Sequence, residues 1–292
     1  MKRIMITGAS ERGFIGKVLK NALSDEYEVL APTRETLDLL DGDAVAKWLH
    51  NNPVDSIIHA AVHVPALHGV DKEAENDLRM FFNLENCRDD YNTLIHFGSG
   101  AEYDKRFPID NVTEDQIGRT IPASSYGLAK YAINQYTRRT DHVTNLRLFG
   151  IFGPQENWRV KFITGLCYKA VFGLPLTVRH HCMFDFMYID DLLPIIRAAL
   201  EGRLTQRDYN ICTGTAIDIA DIASLIQKHS PKKVDINLLS DKWDLPYTAS
   251  NARLCGEIKP VFTTMEQAVV KLIEYFESIK NEADLDVLRQ II

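Results

Sequence analysis

The segment Thr7-Gly8-Ala9-Ser10-Glu11-Arg12-Gly13-Phe14-Ile15-Gly16 constrains this chain more than any other. It follows a short apolar run, Arg3 to Ile6, and leads into Ile15 to Leu23, where apolar residues recur with a helical period. A strand that passes directly into a helix through glycines opens a parallel α/β sheet. Gly8, Gly13 and Gly16 carry no side chain, so the backbone can bend sharply, approach an anion and pack helix against strand. The unbonded amides at the start of that helix then face the anion, and the spacing points to a dinucleotide pyrophosphate. The motif is G-x-x-x-x-G-x-x-G, looser than the common fingerprint, and its place after the first strand carries the reading. Arg12, Phe14 and Ile15 complete the turn that would meet the cofactor.

The first half goes on alternating short apolar runs with amphipathic stretches. Strands are expected at Arg3 to Ile6, Glu28 to Ala31, Ser56 to His59, Thr93 to Gly98 and Thr144 to Leu148, with helices beginning near Gly13, Asp43, Lys72 and Ser125. Right-handed crossovers wind such a chain into a doubly wound parallel Rossmann sheet, with ligands at the carboxyl ends of the strands. After Gly153-Pro154 the pattern changes to helices at Lys161 to Phe172 and Ile219 to His229, with extended pieces at Leu174 to Val178 and Val234 to Leu238. Phe184 to Ile189, followed by Asp190-Asp191 and an apolar helix to Leu200, is expected to return to the main sheet, with the acid pair capping the helix. The expected division is therefore a dinucleotide-binding domain of residues 1–153 and 183–214, and a smaller discontinuous α/β substrate-binding lobe of residues 154–182 and 215–292. Substrate would lie in the cleft between them. The end, Glu282 to Ile292, has the pattern of an acidic, amphipathic, loosely docked helix.

With 292 residues and 46% hydrophobic content, the chain can bury a sizeable core. A net charge of −7 opposes general binding to nucleic acid. Five scattered cysteines without C-x-x-C spacing fit buried thiols in a reducing compartment. The sequence shows no secretory leader and no long apolar run, so a cytoplasmic protein without membrane association is expected.

An NAD site usually places an acid about 20 residues beyond the glycines, on the ribose 2′-hydroxyl. Here the second strand ends Leu30-Ala31-Pro32-Thr33-Arg34, with no acid until Glu35. Arg34 and Arg12 instead suit a 2′-phosphate, since guanidinium forks match phosphate oxygens. NADP is the expected cofactor, with NAD as the alternative.

Tyr126-Gly127-Leu128-Ala129-Lys130 places a phenol and an ammonium four residues apart, on one helical face. A free tyrosine has a pKa near 10, and a neighbouring ammonium together with a cationic nicotinamide would favour its phenolate. Lys130 would also bond the nicotinamide ribose. Ser99 ends the apolar run Leu94 to Gly98, where its hydroxyl would bond a substrate oxygen and Tyr126, or else cap a turn before Gly100.

Taken in order, these features resemble the extended short-chain dehydrogenase/reductase family of nucleotide-sugar enzymes, also called the NAD-dependent epimerase/dehydratase family. The resemblance extends to Ile58-His59-Ala60-Ala61, to Asn145-Leu146-Arg147-Leu148-Phe149-Gly150-Ile151-Phe152-Gly153-Pro154 and to Phe186-Met187-Tyr188-Ile189-Asp190-Asp191. The stretch Thr33 to Asp41 and the arginine before the middle glycine look most like GDP-fucose synthases and related NADP-dependent reductases. The resemblance implies that Arg12 and Arg34 hold the 2′-phosphate, that Asp38, Leu39, Ala60 and Ala61 line the dinucleotide, and that Ser99, Tyr126 and Lys130 are catalytic. It further implies a nucleotide-sugar substrate met by Ser99 and Gly100. A homodimer through helices at Lys72 to Asp89 and Ser125 to Arg138 is implied as well.

The chain departs from the family pattern at four places. Ala101 stands where GDP-fucose synthases carry a cysteine for 3,5-epimerisation, and Gly100-Ala101 stands where 4,6-dehydratases carry Asp-Glu. Gly150 replaces an asparagine, and Phe184 replaces an arginine that grips the diphosphate, leaving Arg179 or Arg159 for that task. The expected activity is thus reduction of a 4-keto nucleotide sugar, with hydride to C4 and Tyr126 as proton donor. An NAD-retaining 4-epimerase would use the same three residues, and a catalytically silent dinucleotide-binding member of the fold is a further alternative.

His59, His63 and His68, and His180-His181-Cys182, resemble metal ligands only superficially, because they do not share the spacing of a converging set. His63 and His181 are candidate substrate contacts. Tyr103 and Trp158 are candidate cleft aromatics.

Overall fold

The structure, a computed structural model, describes residues 1–63, 69–283 and 285–290. Six strands, all parallel, form the central sheet in the spatial order Asp208–Ile211, Val143–Leu148, Thr93–Ser99, Ser56–His59, Arg3–Thr7, Glu28–Leu30. Ile4, Met5 and Ile6 have no solvent exposure, because both sheet faces are covered and neither side of the strand meets water. The helix Ile15–Leu23 packs on one face through Leu19 and Leu23. Gly42–Asn51 and Glu73–Glu85 pack on the other, through Val45, Leu49, Phe81 and Leu84. Strand order reverses between Arg3–Thr7 and Ser56–His59, and a crevice opens there at the carboxyl ends.

The second lobe gathers three helices, Phe162–Phe172, Ile219–His229 and Met265–Ser278, around its own apolar cluster. At its centre the rings of Tyr168 and Phe276 stack at 4.3 Å. The short helix Leu285–Gln290 docks by Leu288, which is fully buried. Leu254 and Ile258 lie beyond residue 214 yet join the apolar cluster of the parallel sheet.

Phe184 to Ile189 does not return to the main sheet. It breaks at Asp185 into Met183–Phe184, which joins a small four-stranded sheet with Tyr247–Ala249 and Ile109–Val112, and Phe186–Tyr188, which pairs with Gly150–Phe152. The cause is the Asp185 side chain. It is buried, and its carboxylate accepts hydrogen bonds from the Thr213 amide (2.9 Å), the Thr213 hydroxyl (2.8 Å) and the Gly214 amide (2.8 Å). The main sheet is rejoined only at Asp208–Ile211. Asp191 does not cap the helix Leu192–Leu200 with its side chain. Its carboxylate accepts from the Thr263 amide and hydroxyl instead, tying the helix start to the second lobe. All five cysteines are free thiols, and Cys255 is exposed rather than buried.

Candidate active site

A cleft of about 1280 Å3 runs from the glycine turn, past the ends of the central strands, to the second lobe. At the glycine end the site is made of backbone. Gly8 has φ +68°, and a β-carbon there would lie 2.7 Å from the Ala60 carbonyl. One at Gly13 would lie 2.1 Å from the Gly8 carbonyl oxygen, and one at Gly16 would lie 2.6 Å from the same atom. All three positions therefore exclude any side chain, and together they bring the first turn of Ile15–Leu23 close to the strand end. Phe14 precedes that helix without a side-chain cap, and no acid sits in its first turn, so its amides are left for an anion. Thr7, which sequence reading passed over, pins the neighbouring wall. Its hydroxyl oxygen accepts from the amides of Ala60 and Ala61, both at 3.1 Å, and bonds the His59 ring at 2.8 Å.

Arg12, Phe14, Ile15, Arg34, Asp38, Leu39, Ala60 and Ala61 all line this end. Arg34 lies 3.7 Å from Asp38, and both arginines act electrostatically on Glu35, so they share one neighbourhood. The glycine cradle, the uncapped helix and the two guanidinium groups together fit a dinucleotide.

Ser99 and Tyr126 meet in the middle of the cleft. The Ser99 hydroxyl accepts from the Ala101 amide (3.2 Å) and its own amide donates to Glu102 (3.0 Å), so it does cap the following turn. The same hydroxyl lies near the phenols of Tyr126 and of Tyr247, which no sequence pattern indicated, and opposes the rise of both pKa values. Burial pushes the Tyr126 phenol up to about 12, against the pull of Ser99 and with a further push from Asp77 and Glu102. The expected lowering by Lys130 is thus not seen. Lys130 is buried beneath the cleft, its ammonium 5.8 Å from the Tyr126 ring centre and donating to the Phe97 carbonyl at 3.0 Å. Burial lowers its pKa, partly offset by Asp77 and Glu102.

The frame that holds Ser99 is ionic. Arg147 is fully buried and donates to Glu102 (2.7 Å), Asp208 (2.9 Å) and Asn210 (2.9 Å). This locks the ends of three central strands together. Leaving Glu102 buried without Arg147 would cost about 3–5 kcal/mol. Tyr103 belongs to this frame, donating to Asn210 at 2.9 Å, and does not line the cleft.

The far end is aromatic. Phe184 and Phe186 stack at 4.3 Å and 18°, and Tyr247 leans on Phe184 at 4.7 Å. A β-carbon at Gly150 would lie 2.5 Å from the Phe186 ring and 2.9 Å from the Phe184 ring. The two departures at Gly150 and Phe184 are therefore one: the glycine makes room for the phenyl pair. Lys105, Trp158, Arg159 and Lys161 also line this end. Glu156, buried there, is pushed up to about 7 by burial, although Lys161 (3.8 Å) and the Thr164 hydroxyl (3.2 Å) oppose the shift.

Several candidates fall elsewhere. Arg179 is exposed and lines neither cavity, whereas Arg159 does reach the cleft. Gly100 is covered by Tyr247, whose hydroxyl lies 2.4 Å from where a β-carbon would be. His181 pairs with Asp218 at 2.5 Å and stacks on Trp243, away from the cleft. His59 is buried behind Thr7 and stays neutral, its pKa lowered to about 3 by burial and then by Lys130. His63 lines the cleft, with its ring bonded to the Gly69 carbonyl at 2.7 Å. His68 lies outside the described residues. Among the described residues no group of three or more His, Cys, Asp or Glu side chains is placed to hold a metal ion, and no helix is long and apolar enough to cross a membrane.

Comparison with known proteins agrees with this geometry. The sequence profile of the NAD dependent epimerase/dehydratase family matches residues 4–212. The chain is 33% identical over 243 residues to the GDP-L-colitose synthase of Yersinia pseudotuberculosis, covering 74% of this chain and 77% of that protein. It is 23% identical over 227 residues to an ADP-L-glycero-D-manno-heptose-6-epimerase of Brachyspira hyodysenteriae, covering 72% and 70%. Its backbone superposes with a TM-score of 0.80 on a GDP-L-fucose synthetase from Naegleria fowleri bound to NADP, at 18% identity and with 97% and 96% of the two chains covered.

Proposed function

This chain belongs to the NAD dependent epimerase/dehydratase family, and on that premise we propose that it is an NADP-dependent reductase of a 4-keto sugar carried on a nucleotide. The observation that carries the reading is Ser99 and Tyr126 together in the cleft that holds the glycine cradle, with Lys130 buried beneath the Tyr126 ring. Arg12 and Arg34 favour the phosphorylated dinucleotide over a retained NAD. When bound, that dinucleotide supplies the reducing equivalent.

The chain's own residues do the rest. Ser99 holds the ketone oxygen by hydrogen bonding, and Tyr126 donates its phenolic proton to that oxygen as charge develops there. A donor must hold its proton beforehand, and a phenol pushed up to about 12 does so at neutral pH. Lys130 stabilises the phenolate left behind, and the phenolate regains a proton from solvent. Ala101, buried beside Ser99, offers no acid or thiol for exchange at a neighbouring carbon, which supports reduction alone. The names of the relatives carry both guanosine and adenosine nucleotides, so they do not choose the nucleotide.

The test is turnover of NADPH with 4-keto sugar nucleotides. Tyr126→Phe is expected to lower kcat by about 10²–10⁴-fold while leaving NADPH binding intact. An unchanged rate overturns the proton donor. Tightly held NAD released on denaturing the purified protein overturns the NADP assignment.

A further inference from the structure

A second cavity, of about 420 Å3, adjoins the main cleft and shares Lys105, Phe162, Phe184, Phe186 and Tyr247 with it. That volume falls within the roughly 300–1,000 Å3 of ordinary small-molecule sites. Its inner wall is the Phe184–Phe186 stack, the surface made accessible by Gly150. Phe107, half exposed, and Leu245 extend the apolar lining outwards. At the rim the His180 Nε2 and an Asp244 carboxylate oxygen lie 2.9 Å apart, with the Asp244 side chain 66% exposed. Lys105 stands at the junction of the two cavities, its ammonium 4.7 Å from the Tyr247 ring centre.

We propose that this second cavity is the nucleobase subsite of the substrate, and that Asp244 makes it selective for guanine. The inference rests on the reductase reading, in that the sugar end of the ligand is taken to lie at Ser99 and Tyr126. From there the ligand runs past Tyr247 and Lys105, where an ammonium meets a diphosphate, to a flat aromatic face that stacks a purine. The choice of base follows from donor and acceptor patterns. A carboxylate only accepts. Guanine places two adjacent donors, N1–H and the N2 amino group, at the spacing of the two carboxylate oxygens. Adenine and cytosine each place a ring-nitrogen acceptor beside their amino group, and uracil flanks its single N–H with two carbonyl oxygens, so each sets a lone pair against Asp244. His180 holds the carboxylate at the rim and acts as a positioning residue.

Isothermal titration of the enzyme saturated with NADP⁺, which closes the cofactor end to competing nucleotides, tests this with GDP, ADP, UDP and CDP. GDP is expected to bind at least about tenfold more tightly than the others, and Asp244→Asn is expected to remove about tenfold from GDP binding while leaving UDP unchanged. Phe184→Ala is expected to weaken all four alike. Equal affinities for the four nucleotides, or a GDP affinity unchanged in Asp244→Asn, overturn the proposal. The two readings fail separately: turnover of a 4-keto uridine sugar with NADPH sinks the guanine assignment alone. Guanine selectivity without NADPH oxidation sinks the reductase alone.

Discussion

The glycine end of the cleft is built from backbone within Thr7–Gly16 and the facing Ala60-Ala61, whereas the aromatic end is assembled from side chains scattered between Lys105 and Tyr247. At the first end a single carbonyl, that of Gly8, is the obstacle that would meet a β-carbon at either Gly13 or Gly16. Neither of these glycines can be exchanged without moving main chain. At the second end Gly150, Phe184 and Phe186 fit one another, and a side chain at Gly150 would displace the two rings. A ligand part common to many enzymes can be held by fixed backbone, while a part that differs from enzyme to enzyme is better held by side chains that substitution can reshape.

Three substitutions probe that division. The largest effect is expected from Gly13→Ala, which forces the Gly8 carbonyl to move. NADPH affinity should fall about 100-fold, or 2–3 kcal/mol, with nucleoside diphosphate binding unchanged by titration. A parallel loss at both ends would mean that the ends are not independent. Next is Glu156→Gln, at the aromatic end. Its folded pKa, about 7, lies above the ordinary 4.5, so the native state holds this proton longer than the unfolded chain does. The associated stability is full below pH 4.5 and is lost as pH rises through 7. The variant should therefore gain about 2 kcal/mol on wild type between pH 5 and pH 8 in denaturant melts, without a change in NADPH binding. A constant difference across that range would show that Glu156 is ionised throughout. The smallest effect is at the cofactor's edge: Arg34→Ala should weaken NADPH about tenfold and leave NADH untouched. Equal weakening of both would remove the 2′-phosphate role.

The same division explains how much could be read beforehand. Ser56–His59 and the start of Ser125–Thr137 match expectation residue for residue, and Arg3–Thr7, Glu28–Leu30, Thr93–Ser99 and Val143–Leu148 differ only at their ends, because period and glycine placement are local properties, whereas the sixth central strand, Asp208–Ile211, was not expected. The places of the glycine turn after the first strand, of Ser99 at a strand end and of Tyr126 at a helix start were legible for the same reason. The break at Asp185 was not, since it is imposed by Thr213 and Gly214, distant in sequence. Tyr247 and Lys105 carry no motif, and they become site residues only when Tyr247–Ala249 is laid against Met183–Phe184. Arg179 has the charge to meet a diphosphate, but it follows the strand Leu176–Val178, which pairs with Ile236–Leu238, and lines neither cavity. The Arg147 frame was visible only as part of a resemblance, because a fully buried arginine cannot be told from a surface one until its partners Glu102 and Asp208 are in place.

The strand Ile109–Val112 leaves the central-sheet half of the chain and is hydrogen-bonded to Tyr247–Ala249, which is itself paired with Met183–Phe184. The roof of the cleft is thus sewn to its floor by main-chain bonds, beside Phe184 and Tyr247, which line it. Parting the two like a jaw would break that pairing, whereas the exposed Phe107 and Leu245 at the second cavity can swing aside without breaking any of it.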